Sequence, residues 1–171
     1  MPRLIPERPD FASDRGAEKV VWEALRDQLP NEAVLIHGLR IIDRGDDREG
    51  DLVVLWPHQG VAVIEVKGGH ITPQSDGTFI QRNNKGHEKS VDPIEQSRIA
   101  KYSLRDWLVR EAGALTYYTM TNMAAFPYAT INTNWHSTRA TRAQVIDRLN
   151  LADAASCIKR ALDDEIGRAH V

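Results

Sequence analysis

The chain has 171 residues, 42% hydrophobic and 27% charged, which fits one globular domain able to bury a core without disulfides or a structural metal. Its single cysteine, Cys157, excludes an internal disulfide and a cysteine-based zinc site, and points to a reducing cytoplasm. A formal net charge of -2 gives no general electrostatic pull on nucleic acid, so such a partner has to be argued from a local site. No apolar run of about 18 residues occurs and the N-terminus lacks an apolar signal-peptide centre, so neither export nor a membrane span is expected.

In chain order, residues 1–12 hold three prolines and predict an extended arm. "SDRGAEKVVWEALRDQLP" predicts an amphipathic helix, with Ser13 and Asp14 as capping candidates and Pro30 as its stop. "AVLIHGLRII" reads as a strand and the charged "DRGDDREGD" as a turn. "DLVVLW" and "VAVIEVKG", separated by "PHQG", read as a hairpin. "GTFIQR" is a short strand and "NNKGHEKS" a polar loop. "DPIEQSRIAKYSLRDWLVREAG" is a second helix, with Asp92 as N-cap, Pro93 at the first position and Gly113 past its end. "TYYTMTNMAAFPYATI" should hold one or two strands, and "TRAQVIDRLNLADAASCIKRALDDEI" one or two closing helices. The order predicts a single α/β domain over residues 13–166, with residues 167–171 a tail that could be the stub of a longer chain.

Side chains alternate along a strand, so Val61, Val63, Glu65 and Lys67 share one face of "VAVIEVKG". A carboxylate and an ammonium on an otherwise apolar face each need a partner or an ion, because desolvating either alone costs several kcal/mol. They could simply neutralise each other at a sheet edge. Two features argue for more. A hairpin would bring Asp51, at the start of the preceding strand, beside Glu65, and two close carboxylates call for a cation between them; a few oxygen ligands suit Mg²⁺ or Mn²⁺ better than zinc. On the first helix, Val21, Trp22, Leu25 and Leu29 all fall within about 60° of Glu18. This places Glu18 mid-stripe, either snorkelling at the helix start or serving a site.

Gly50-Asp51 followed after thirteen residues by Glu65-Val66-Lys67 resembles the PD-(D/E)xK nuclease motif. "DRGAEKVVWEAL", "GDLVVL", "VAVIEVKGGHI", "DGTFIQR", "DPIEQ" and "AAFPYATI" occur in the order seen in the nuclease-related domain, NERD, a resemblance spanning roughly residues 13–151. It implies a restriction-endonuclease-like three-layer α/β/α core, with a mixed β-sheet flanked by helices. The activity implied is a metal-dependent nuclease that hydrolyses DNA phosphodiester bonds with a metal-activated water. The alternative is a catalytically silent nucleic-acid-binding or helicase-docking module of the same fold.

Carried onto this sequence, the resemblance makes Asp51, Glu65 and the Val66 backbone carbonyl ligands of Mg²⁺ or Mn²⁺. Lys67 would orient or deprotonate the attacking water or stabilise the pentacovalent phosphate. Glu18 would be a carboxylate behind the metal ligands or a ligand of a second metal, and Gln96 the glutamine on the helix after the core strands. Gln96 shares a helix face with Ile99, Ala100, Ser103 and Trp107, and could equally be a surface amide. The proline of "PD" is replaced by Gly50. The tyrosine expected four residues after the glutamine is absent, Ala100 standing there. DNA is the implied partner, with a helicase domain or protein beside it and a homodimer if both strands are to be cut. Arg98, Lys101 and Arg105 form one stripe of the second helix and could contact phosphates, although such a stripe is more often a solvated face. No P-loop, G-x-S-x-G elbow or H-E-x-x-H spacing is present, which removes support for a helicase motor, a serine hydrolase or a zincin.

Overall fold

The computed structural model describes residues 1–112 and 118–169. Strands β1 (Arg3–Ile5), β2 (Val34–Asp43), β3 (Asp46–Trp56), β4 (Gly60–Val66), β8 (Met120–Phe126) and β9 (Val145–Asp147) form one sheet, ordered β1-β2-β3-β4-β8-β9. The β2-β3-β4 meander is antiparallel, whereas β1 joins β2, and β4, β8 and β9 join one another, in parallel. A small antiparallel sheet, β5 (His70–Pro73), β6 (Phe79–Arg82) and β7 (Glu88–Val91), follows β4.

Helices α1 (Gly16–Gln28) and α3 (Ala154–Ala169) cover one face of the large sheet. Val21, Leu25, Ile158 and Leu162 pack there against Leu35, Leu52, Ile64 and Met123. Helix α2 (Pro93–Glu111) covers the other face, where Ala100 and Leu104 meet Ile41, Val53, Val61 and Val63. Burial on both faces explains why β4 reads as an unbroken apolar run up to Glu65. This is the three-layer α/β/α arrangement with a mixed sheet. Among the described residues, no helix is long and apolar enough to cross a membrane.

Several local expectations change. Helix α1 begins after Arg15 with no side-chain cap, so Ser13 and Asp14 do not cap it. The N-terminal arm docks, its residues 3–5 forming the edge strand β1. The charged stretch 43–51 is not one long turn: β2 and β3 run on into it, leaving only Arg44 and Gly45 between them. This outer ribbon is solvent-exposed, so its strands carry charged pairs such as Arg40 with Asp47 in place of apolar alternation. Strand β7 occupies the end of the polar loop predicted at 83–90.

At the C-terminal side, the helix expected from residue 141 is interrupted by β9. A single 3₁₀ turn at Arg142–Gln144 precedes it, closed by the Gln144 carboxamide accepting from Thr141 N–H at 3.1 Å. Gln144 Nε2 also donates to Asn122 O at 2.9 Å, tying this turn to β8, and β-branched Val145 and Ile146 are then buried in the sheet. Helix α2 starts as expected, with Asp92 Oδ1 accepting from Glu95 N–H at 3.1 Å and Pro93 in the first turn. Gly113, expected beyond its C-terminus, lies outside the described residues.

Candidate metal and catalytic site

The β3-β4 hairpin sets the geometry. Leu52 pairs with Ile64 and Val53 with Val63, so one step further outward Asp51 comes beside Glu65. Asp51 Oδ2 accepts from Val66 N–H at 2.8 Å, which pins the aspartate across the end of β4. On β2, Gly38 has φ of +66°, and the regular pairing that joins His37 to Leu52 and Leu39 to Gly50 skips the Gly38–Asp51 position between them. The ladder is thereby interrupted at Asp51. The parallel neighbours of Glu65 and Val66 on β8 are Ala124 and Ala125, and Lys67 N–H donates to Ala125 O at 3.0 Å, extending that pairing to the lysine.

Glu65 is 7% exposed. Its Oε1 lies 3.2 Å from Lys67 Nζ. Burial, then the neighbouring Asp51 charge, pushes the Glu65 carboxyl up to about 7, against the pull of Lys67. Burial also raises Asp51 to about 6; the Val66 N–H bond opposes this, and the Glu18 charge adds to it. Two neighbouring acids thus share one nearby ammonium, in contact with Glu65.

Helix α1 brings Glu18 into electrostatic range of both. Its side chain is 13% exposed, and its Oε2 accepts from His37 Nε2 at 2.8 Å. The Arg15 guanidinium sits 3.9 Å from Glu18 and 3.6 Å from Glu49. His37 on β2 is half-buried, its side chain 8% exposed, and it packs against the Phe11 ring at 4.5 Å between centroids. His37, Arg15 and Glu49 escape sequence reasoning. A polar residue on the α1-facing side of an apolar strand marks His37, by the criterion that marks Glu18. Glu49 shares strand parity with Asp51, but the stretch around it reads as a turn.

Asp51, Glu65, Lys67 and Glu18 therefore converge, with the Val66 main chain between the first two. Gln96 does not join them through any described contact. The buried face of α2 is Pro93, Ile94, Ser97, Ala100 and Leu104, which corrects the expected face of Gln96, Ile99, Ala100, Ser103 and Trp107; Gln96 and Trp107 are exposed. Ser97 and the Asn122 amide, meeting at 3.4 Å, help fix this rotation. Arg98, Lys101 and Arg105 cluster around the Tyr102 ring, with their charged atoms 5.6, 4.8 and 4.6 Å from its centroid. Arg98 is also engaged by Glu95 at 2.7 Å, and no hydrogen bond or ion pair links the three to the carboxylate cluster.

A family model described as "nuclease-related domain" (NERD) matches residues 13–127, from the approach to α1 through the end of β8. The chain belongs to the NERD family. The match includes every residue of the cluster, while β9 and α3 of this NERD domain lie beyond it. Neither a curated protein nor a solved structure matches the chain.

Among the described residues, no three His, Cys, Asp or Glu side chains converge into a ready-made metal cage. The donors expected here would be the Asp51 and Glu65 carboxylates with the Val66 main-chain carbonyl. That set fits a hard cation which keeps several waters or substrate oxygens in its shell, as Mg²⁺ does, and it does not fit zinc.

Proposed function

We propose that this NERD domain is a Mg²⁺- or Mn²⁺-dependent nuclease acting on DNA phosphodiester bonds. The observation that carries this reading is the buried Glu65 carboxylate held beside Asp51, with the Lys67 ammonium 3.2 Å away at a strand end. Asp51, Glu65 and the Val66 carbonyl would hold the cation, which when bound would neutralise phosphoryl charge and make water a competent nucleophile at neutral pH. Lys67, directly after β4, as an ammonium orients that water and offsets the charge of the transition state; taking the water's proton would instead require its neutral amine. Glu18, fixed by His37, tunes the field at Asp51 and Glu65. Gln96, exposed on α2, is available to touch substrate and needs no partner within the protein.

Incubating the protein with labelled single-stranded, double-stranded and branched DNA, with and without Mg²⁺ or Mn²⁺, tests this reading. Metal-dependent cleavage lost in Glu65→Gln and Lys67→Ala is the expected result, and equal activity in either variant sinks it. One observation favours a silent DNA-binding module: Lys67 already neutralises Glu65 without an added ion. In that case DNA binding would be indifferent to Mn²⁺ and no strand would be cut.

A further inference from the structure

Beginning two residues after Lys67 lies an open groove of about 710 Å³, lined by residues including Gly69, His70, Arg82, Asn83, Glu88 and Tyr128, which the hydrolytic reading leaves unused. We propose that this groove seats an unpaired nucleotide of single-stranded DNA beside the phosphate to be cut, with Tyr128 stacked on its base and Arg82 on its phosphate. The position of that phosphate rests on the nuclease reading above.

Three features place the groove against the site. It opens at Gly69, two residues after Lys67, and the intervening Gly68 carbonyl accepts from Gln81 Nε2 at 2.8 Å, joining β6 to the end of β4. Gly69, with φ of +73°, lets the chains approach closely: a Cβ there would lie 2.6 Å from Arg82 O. The Tyr128 ring lies 3.9 Å from where a Gly68 Cβ would be, and its hydroxyl 3.9 Å from the same point on Gly16. Tyr128 thus spans from the first turn of α1, which carries Glu18, to the residue after Lys67.

The groove's chemistry fits a nucleotide. Tyr128 is 51% exposed, so one part of its ring is held against the glycines while the rest is open to stack on a base. Bases inside a duplex have both faces covered, so only an unpaired or flipped base can use it. Arg82 has no carboxylate within ion-pair distance among the described residues, although Glu88 pairs with it across β6-β7 and also lines the groove. The wall is preformed: Asn83 Oδ1 accepts from Lys85 N–H at 2.9 Å and from His87 N–H at 3.0 Å, so the polar turn costs little to order on binding.

Fluorescence anisotropy of the full chain with short labelled oligothymidylate, in EDTA, tests the groove without any hydrolysis. Oligothymidylate should bind about five-fold or more tightly than the same strand made abasic, the lower end of what one base–aromatic stack contributes. Tyr128→Ala should remove that preference and Tyr128→Phe keep it. Arg82→Gln should weaken both strands and reduce the salt slope by about one. A blunt-ended duplex should bind more weakly and ignore Tyr128→Ala. Equal wild-type affinity for the base-bearing and abasic strands overturns the proposal, and needs no variant to fold. So does a folded Tyr128→Ala protein that binds like wild type. A protein that cuts nothing but keeps the base preference supports the groove and defeats only the nuclease reading. A protein that cuts with unchanged KM and affinity in Tyr128→Ala defeats only the groove.

Discussion

Asp147 and Glu65 are both buried carboxylates on the central sheet, 1% and 7% exposed, yet their surroundings are opposite. Asp147, the last residue of β9, accepts from four donors: Ile131 N–H and Arg142 Nη2 at 2.9 Å on one oxygen, and Leu149 N–H at 2.9 Å and Asn150 N–H at 3.2 Å on the other. Glu65 has one described donor, Lys67, and a second acid as its neighbour. A carboxylate that holds loops together is surrounded by donors, because each unmet lone pair in the interior costs free energy. Glu65 has a single described protein donor, and neither of its oxygens is a buried atom left without a partner, so the carboxylate is open to water or, on the proposed function, to a divalent cation.

That contrast can be broken most forcefully at Asp147. Asp147→Ala removes the ion partner of Arg142, which keeps only carbonyl acceptors, and strands three backbone N–H groups, so it should cost about 3–5 kcal/mol of stability, read as a large drop in thermal midpoint. Glu65→Gln should do the reverse. Metal-free stability at pH 8 stays equal or rises, since an unfavourable buried charge is gone, while metal-dependent cleavage falls by about a hundred-fold or more. A Glu65→Gln protein as unstable as Asp147→Ala would erase the distinction.

Titration sharpens the same comparison. Asp51 and Glu65 hold their protons more tightly folded than unfolded, their carboxyls standing near 6 and 7. The folded state therefore binds more protons between the unfolded and folded values. Stability from these groups is fully present below about pH 4 and is lost as pH rises through about 7. Thermal midpoints of metal-free protein across that window should fall relative to Asp51→Asn, and Mn²⁺ at pH 8 should restore them. A wild-type profile parallel to that of Asp51→Asn would contradict the raised values. The smallest effect is expected at His37. His37→Gln weakens the 2.8 Å contact that fixes Glu18, and should lower cleavage by about ten-fold. No change in rate there would make Glu18 a bystander.

Much of the cluster was legible in the sequence because strand alternation and the helix period are local rules. Glu65 and Lys67 share parity along and just past β4, Asp51 lies on the strand paired with it, and Glu18 falls on a stripe whose Val21, Trp22 and Leu25 are buried. What stayed hidden depends on packing between distant segments. His37 sits in a strand whose neighbours are apolar, and only the docking of α1 shows what it meets. Tyr128 is an exposed residue after β8 until the fold sets it over Gly68. The outer β2-β3 ribbon has turn-like composition because, Ile41 apart, solvent faces it. Helix α2 offers two weakly apolar faces, and contacts from β8 choose the one that leaves Gln96 outside. At β9, a helix-like spacing of Val145, Ile146 and Leu149 yields to the sheet, where β-branched residues pack well.

Calorimetric titration of the metal-free protein with Mn²⁺ tests the central claim most directly. Binding of the ion by the wild-type protein, lost in Asp51→Asn and in Glu65→Gln while both variants remain folded, is the predicted result. Absence of binding to the wild type, or binding that survives both substitutions, would contradict the assignment of Asp51 and Glu65 as the ligands.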